Sequence, residues 1–456
     1  MSATDTVSAS APVDSQLNAV RASLKRRHAQ ERRFQVLGLA AIFAALAMVA
    51  VLFGSVLFKG VPAFWQSTLH LQISLNADVI DVGQPPVQKA DQNPAEFEAE
   101  LTDWRRDLAR VSWNKILESA VRGVLPPDLA DAKTRDIVGI VASGERYALR
   151  DMVLEDPSLI GQTIDVDLLA DANVDNWLKG NIDRSLGQSR QQLSPGEQEI
   201  ADALAEKGVI TQSFNSGIFF NVDSRSSPAS AGLAGAFMGS LYMMLVVIML
   251  AVPIGVASAI YLEEFAPTNR FTDFIEVNIN NLAAVPSIVF GLLGASIFIN
   301  WMHLPLSAPL VGGLVLTLMT LPTIIIATRG TLRAIPPSIR EAALGLGASR
   351  TQMVFHHVLP LAIPGILTAT IIGVAQALGE TAPLLLIGMN AFVASVPASP
   401  MDQATALPVQ IYLWQGNENF NFFEARTNAA IIVLLGLMIS LNAIAILLRQ
   451  RIERRW

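Results

Sequence analysis

The chain contains no cysteine, only five histidines, and charged side chains at just 16% of its 456 positions. Without cysteine there is no disulfide framework, no thiolate metal site and no thiol nucleophile. Only His70 falls in the polar stretch between Lys59 and Gly232, so neither a histidine-based triad nor a histidine metal cluster is expected there. A G-x-x-x-x-G-K-[ST] loop is missing too, so the chain has no phosphate-cradling nucleotide site of its own. No basic, aromatic-interleaved surface of the nucleic-acid-binding kind is seen either. A soluble domain carries about 25% charge. With less than that, 52% hydrophobic residues and a mean hydropathy of +0.43, much of this chain takes a bilayer as its solvent.

What charge there is divides unevenly. The stretch from Lys59 to Gly232 holds 26 acidic and 16 basic residues, a balance of −10, and the remainder carries +3. An acidic polar block is set into a slightly basic apolar frame. Residues 1–33 read as a cytoplasmic basic tail, disordered over its first twenty positions. The uncharged run Phe34–Phe58 follows Arg21, Lys25, Arg26, Arg27, Arg32 and Arg33. It exceeds the roughly 7–15 apolar residues of a signal-peptide core, so it reads as an uncleaved first transmembrane helix, 34–58. Five further spans are expected near Leu233–Leu262, Ile279–Met302, Ala308–Thr328, Ala362–Met389 and Ala429–Leu448. Arg333, Arg340 and Arg350 lie in the loop 329–360, and Arg449, Arg451, Arg454 and Arg455 follow the last span, whereas the short outer loops hold only Arg426. The positive-inside rule then places both termini in the cytoplasm of a multi-pass chain.

The expected fold is an all-α polytopic membrane protein of six transmembrane helices, carrying an α+β periplasmic domain at 59–230 and a five-span core at 231–456. Within the polar block, Leu71–Val82 alternates, Pro94–Leu125 has helical periodicity, and Val209–Val222 reads as a strand. Ser194 and Glu197 have capping-box spacing and open a helix toward Lys207. The scattered carboxylates read as a solvated surface.

The segment Ser338–Ser349 carries the most information. Ser338 and Glu341 have capping-box spacing, and Ile339, Ala342, Ala343 and Leu346 fall at i, i+3, i+4 and i+7 as one small apolar stripe. Gly347 can supply the positive-φ turn that ends the helix. Ser349 and Gln352 repeat the box and start a second helix through Val358, before Leu359-Pro360. A short helix with an Ala-rich face, in a cytoplasmic loop, can dock into a groove on a partner and transmit a push.

Glu341-Ala342-Ala343, then three residues to Gly347, then Leu359-Pro360, resembles the EAA loop of ABC-importer permeases. His357 departs from the family pattern, which has an aliphatic residue there; Val358 stands beside it. Asn281–Gly291, Leu321–Ile325 and Leu378–Leu385 are similar to signatures of the PstA-type phosphate permeases. The resemblance covers roughly Ala231 to the C-terminus; a first span followed by a large insertion resembles a subset of that family. It implies the ABC-importer permease fold in a bacterial inner membrane, with Glu341, Ala342, Ala343 and Gly347 coupling to the ATPase. It also implies a cytoplasmic ATPase dimer that uses ATP and magnesium, a homologous PstC-type permease subunit, and a periplasmic phosphate-binding protein. The chain itself would bind no cofactor or metal and would hold no catalytic residue; phosphate and membrane lipid would be its other partners.

Glu380 is the one carboxylate inside the expected spans beyond the interfacial Glu263–Glu264 pair. A central carboxylate costs about 2.5–3.5 kcal/mol on insertion scales, so it needs a partner or water. Gly379, Thr381 and Pro383 beside it point to a broken helix lining a cavity. Glu380 and Thr381 are therefore candidates for the substrate path, with Glu380 either accepting a hydrogen bond from a protonated phosphate oxygen or pairing with a partner's arginine. Arg329 and Arg333, one turn apart, are either an electropositive exit or snorkelling anchors. In some relatives an arginine stands about one turn earlier, where this chain has Ile326. Asn280 and Asn281 can bond between helices, and Pro286 and Pro322 can kink their spans. A permease for sulfate or molybdate would share the coupling loop. A membrane sensor would need cytoplasmic output domains, and a secondary transporter would show inverted repeats; neither feature is found.

Overall fold

The computed structural model describes residues 11–88, 93–185, 187, 191–417 and 420–452. It divides into two units, residues 1–58 and 59–456. The first unit is helical. Helix α1 (Ala11–Gly60) runs from the polar N-terminal segment straight through the apolar run. The expected tail is thus helical from Ala11 onward, and residues 1–10 lie outside the described residues. The reason is propagation: once the apolar turns are helical, each added residue costs little, and Ala22, Arg26, Arg27, Ala29, Gln30, Glu31 and Arg32 are all good helix formers. From Phe34 to Phe58 the large side chains are exposed, as a lipid-facing helix requires.

The second unit opens with strand β1 (Trp65–Ser74), the short helix α2 (Ala77–Ile80) and the helices α3 (Pro94–Arg110) and α4 (Trp113–Val124). Next come α5 (Thr134–Gly139), α6 (Glu145–Glu155), β2 (Thr163–Leu169), α7 (Ala172–Leu178), α8 (Pro195–Glu206), β3 (Ile210–Phe214) and α9 (Gly217–Phe220). The strands form an antiparallel sheet in the order β2-β1-β3, with Leu69 opposite both Leu168 and Ile210. Alternation along β1 turns Leu69, Leu71 and Ile73 inward against Trp104, Leu108, Trp113, Ile116 and Leu149. The strand starts earlier than the alternating stretch implied, and Ala77–Ile80 is a helical turn capped by Asn76. The Ser194–Glu197 capping box is formed, with its helix ending at Lys207. His70 lies on the exposed face, where its ring bonds Asp167 and Thr211 across both neighbouring strands.

Glu145 is buried in this layer, 9% exposed, and its carboxylate accepts a bond from the Leu169 backbone amide. Burial pushes its carboxyl up to about 7 and outweighs that bond. The folded state therefore holds a proton that the unfolded chain, with a carboxyl near 4.5, releases. Stability from this group is fully present below pH 4.5 and is lost as pH rises through 7, by about 3 kcal/mol in all. Burial raises Asp171 as well, so it adds to the slope in the same direction. Glu145→Gln is expected to flatten the fall in apparent melting temperature between pH 5 and pH 8, followed by tryptophan fluorescence of the full chain in detergent. An unchanged slope would remove Glu145 as its source.

The apolar part comprises α10 (Ala234–Ile260), α11 (Arg270–Ala283), α12 (Ser287–Gly294), α13 (Pro309–Arg333), α14 (Pro337–Gly345), α15 (Arg350–Gln352), α16 (Leu359–Gly379), α17 (Ala382–Leu386), α18 (Leu407–Gln415) and α19 (Phe420–Ile452). Among the described residues five helices are long and apolar enough to cross a membrane, or six if the bent pair α11 and α12 counts as one. That pair corrects the expected span Ile279–Met302. The chain turns by 100° at Ala284–Pro286, because Pro286 disfavours a helical residue before it and caps α12. Asn280 and Asn281 are exposed on α11 and bond no other helix among the described residues. The expected span Ala362–Met389 is corrected too: its helix continues from Arg350 and stops at Gly379. The second loop helix does not end before Leu359-Pro360. A π-helical turn at Met353–Val358 widens the backbone and lets Pro360 sit at the start of α16 without breaking it.

Methionines and aliphatics of α10, α12, α13 and α17 form one core, including Met243, Val247, Phe290, Val315, Ile324 and Leu384. A second cluster joins Ala63, Ala172 and Ile218 of the polar segment to Leu233, Leu407, Trp414 and Phe423. Arg426 lies here, inside α19 and 3% exposed, rather than in an outer loop. It donates to the carbonyls of Ala229 and Ala231 and to Gln66 Oε1, and its guanidinium covers the Phe422 ring. Within the second unit the sheet layer is thereby tied to α19.

Candidate coupling and translocation site

Helix α14 begins at Pro337 with Pro336 as its cap residue, so the capping box of Ser338 and Glu341 is not formed. Proline is favoured at the first helical position, and this moves Ser338 inside the first turn. The C-terminus follows a Schellman pattern. Ala348 N–H donates to Ala343 O, Gly347 N–H donates to Leu344 O, and Gly347 has φ +86°. The expected single stripe is split. Ala343 is buried and Ile339 packs partly beneath it, against Leu332, Ile335, Met353, Val354 and Val358. Glu341 and Ala342 face outward, with Leu344 48% and Leu346 91% exposed. The split arises because α14 ends at Gly345, so Leu346 leaves the helical spacing. Val358 takes the inward aliphatic place, and His357 is exposed.

A lattice of charges holds α14 against its neighbours. Arg340 bonds Glu264 at 2.7 Å and also donates to the carbonyls of Ile335 and Leu332, at the end of α13. Glu264, 4% exposed, sits in the π-helical turn Tyr261–Phe265 that ends α10. Beside it, Glu263 receives Arg333 at 2.9 Å and Arg329 at 3.2 Å, and Arg329 also reaches Glu276 of α11 at 2.6 Å. Arg329 and Arg333 are thus brought together, but on carboxylates and not on Glu380. Sequence reasoning passed over Glu263, Glu264 and Glu276. Three arginines in the inner loop, facing two acids at the inner end of span two, were the available signal.

Glu380 is the residue at which α16 stops, in extended backbone at φ −77° and ψ 129°. Thr381 follows and accepts the N–H groups of Leu384 and Leu385 at the start of α17. Glu380 is half-buried, and no side chain among the described residues bonds its carboxylate. The broken helix packs on α12 at very short range. A β-carbon on Gly291 would lie 2.7 Å from Pro383 Cα and 2.8 Å from Pro383 O, so only glycine lets the two backbones approach. Two segments far apart in sequence, Asn281–Gly291 and Leu378–Leu385, therefore meet. No group of three or more potential metal-binding side chains occurs among the described residues.

Residues 251–456 match the family described as the binding-protein-dependent transport system inner membrane component. The phosphate transport system permease protein PstA of Xylella fastidiosa (strain Temecula1 / ATCC 700964) is 33% identical over 233 residues, 48% of this chain and 76% of that protein. The chain belongs to the PstA-type family of binding-protein-dependent ABC permeases. The probable ABC transporter permease protein YqgI of Bacillus subtilis (strain 168) is 34% identical over 181 residues, 39% of the permease and 59% of YqgI, less than two thirds of that relative's length. A solved structure of the MetNI methionine ABC transporter, inward facing, aligns over 47% of the permease and 94% of that chain at 20% identity, with a TM-score of 0.38. Residues 21–188, from within α1 well into the sheet layer, match a domain of unknown function, DUF3333. The permease is a multi-pass membrane subunit of an ABC importer, a transport subunit of a kind that works with a separate ATPase.

Proposed function

We propose that this permease forms one transmembrane half of an ATP-driven importer of inorganic phosphate in a bacterial inner membrane. The observation that carries the reading is α14, fixed by Arg340 yet presenting Ala342, Leu344 and Leu346 outward, in a chain whose PstA relatives are phosphate permeases. In this reading Glu341, Ala342, Ala343 and Gly347 set the coupling helix into a cytoplasmic ATPase dimer, which hydrolyses the magnesium-bound ATP. A PstC-type subunit covers the exposed flank of α11 and α12, and a periplasmic binding protein delivers phosphate. Both termini and the loop 329–360 are cytoplasmic, residues 59–230 form the periplasmic domain, and 231–456 form the permease core. Arg329 and Arg333, committed to Glu263 and Glu276, act as a clamp at the inner end of the spans.

Glu380 and Thr381 belong to the substrate path. A carboxylate without a side-chain partner, at a helix break, can accept a hydrogen bond from a protonated phosphate oxygen, which sulfate does not have at neutral pH. Bonds to charged groups contribute about 1.5–3 kcal/mol, so Glu380→Gln is expected to reduce phosphate-over-sulfate preference roughly ten- to a hundredfold. A variant with normal preference would leave Glu380 a structural role only.

The function itself is tested by uptake of labelled phosphate at micromolar concentration, in cells lacking the gene and in cells with it restored. Uptake that returns with the gene and resists sulfate and molybdate is the expected result. Uptake indifferent to the gene, or competed by either oxyanion, would overturn the phosphate assignment and redirect it to that substrate.

A further inference from the structure

The polar segment carries an aromatic cluster that the transport reading does not use. Phe64 stacks on Phe219 with centroids 5.6 Å apart, Phe219 stacks on Phe214 at 6.5 Å, and Trp65 meets Phe214 edge-on at 6.1 Å. Phe64 packs partly against the cluster of Ala63, Trp414 and Phe423, and the other rings are exposed. Trp65 is 44% exposed, Phe214 58%, Phe219 39%, and the adjacent Phe220 78%. Their height relative to the spans is set by backbone bonds. Leu233 N–H donates to Ile218 O and Ala234 N–H to Asn221 O, so α9 sits on the first residues of α10. Asn215 N–H donates to Phe64 O, and Lys59 pairs with Glu424 near the start of α19. The cluster therefore lies level with the ends of two membrane-crossing helices, α10 and α19.

The surrounding sequence is depleted of charge in the same place. No Asp, Glu, Lys or Arg occurs between Gly60 and Ala77 or between Val209 and Val222, although Lys59–Gly232 holds 42 such residues. On the opposite face of the sheet the exposed side chains are polar, with His70 and Gln72 of β1 beside Asp167 and Asp165 of β2. Lys179 reaches the cluster from α7, donating to the carbonyls of Trp65 and Pro62. Aromatic rings at the end of a span, on chain segments that carry no charge of their own, match the chemistry of the headgroup level, where an amphipathic ring meets both acyl chain and water.

We propose that Phe64, Trp65, Phe214, Phe219 and Phe220 form an interfacial foot, by which the sheet layer rests on the lipid headgroup region beside α10 and α19. The foot and Arg426 hold the sheet layer at two separate points, one against lipid and one inside the protein. A protein partner is the competing occupant, and accessibility separates the two.

The absence of native cysteine makes the experiment direct. Nitroxide labels are placed at Phe220→Cys, Phe214→Cys and, as a control on the polar face, Gln72→Cys. The full chain, with the subunits that co-purify with it, is reconstituted into phosphatidylethanolamine–phosphatidylglycerol vesicles. Collision rates with oxygen and with a water-soluble nickel chelate are then measured. At 220 and 214 the oxygen-to-nickel ratio is expected to exceed that at 72 severalfold. A ratio equal to the control would place the rings in water and overturn the proposal. Low access to both reagents would mean that protein covers them, and would overturn it equally. Residue 220 is so exposed that its substitution leaves packing intact, and 214 provides a second reading.

Discussion

Leu346→Asp is expected to lower phosphate uptake by about a hundredfold while leaving the permease at its normal abundance in the membrane. The side chain has opposite surroundings in the free chain and in the complex. In this chain Leu346 is 91% exposed, so a charge there disturbs no packing, and surface changes of this kind cost within about 0.5 kcal/mol. In the proposed complex the same side chain, beside Ala342, enters an apolar cleft of the ATPase. Burying an unpaired carboxylate there costs several kcal/mol, and a hundredfold loss needs only about 2.8 kcal/mol. Leu346→Ala removes contact without adding charge and is expected to be much milder. Gly347→Ala acts by another route: its φ of +86° strains any L-residue by about 1–2 kcal/mol, so it disturbs the loop before any partner binds. Uptake per permease, normalised to immunoblot signal, separates these effects. Wild-type uptake by Leu346→Asp would mean that α14 does not engage the ATPase.

The parts of this arrangement that were legible in the sequence are those written in local spacing. The capping boxes of Ser194 with Glu197 and Ser349 with Gln352 form because both partners lie within one turn, where three intervening residues define the geometry. Ser338 and Glu341 have the same spacing and fail. Two prolines just before them start the helix two positions early, a steric effect that the box pattern does not contain. The turn at Gly347 and the break at Glu380 were likewise local and readable. Pairings across the fold were not. Arg329 meets Glu263 and Glu276 over 66 and 53 residues, and Arg426 meets Gln66 over 360. Hydropathy windows average over such residues, so Glu263 and Glu264 read as interfacial charge and Arg426 as a loop cation. The kink expected at Pro286 is present, but hydropathy gave no measure of its size. The run Ile279–Met302 is uncharged throughout, and the constraint on the residue before proline turns it through 100°.

The largest structural effect is expected at the buried end of the charge lattice. Glu264→Gln leaves the Arg340 guanidinium, 22% exposed, without its counter-charge beside a residue that is itself 5% exposed in its side chain. Removing one partner of a buried pair typically costs about 3–5 kcal/mol, because the remaining charge stays desolvated. Arg340→Met is expected to cost a similar amount, since it strands Glu264 and also withdraws the bonds to Leu332 O and Ile335 O that cap α13. The double change Glu264→Leu with Arg340→Met removes both charges at once. It is expected to recover most of the loss but not all, because the two carbonyls stay uncapped. The residue should be about 1–2 kcal/mol, one to two hydrogen bonds at typical net value. Apparent melting temperatures of the purified chain across the four proteins give the coupling as the departure from additivity. Strictly additive single changes would mean that the pair is solvated in the membrane. Strong coupling with only that small residual loss in the double variant, yet slow uptake, would indicate that Arg340 carries motion from α14 to the end of α10 and not merely stability. That outcome is expected, because α14 touches the end of α10 through this pair and through no longer-range covalent constraint, and an apolar pair can pack there without fixing the angle at which a push is delivered.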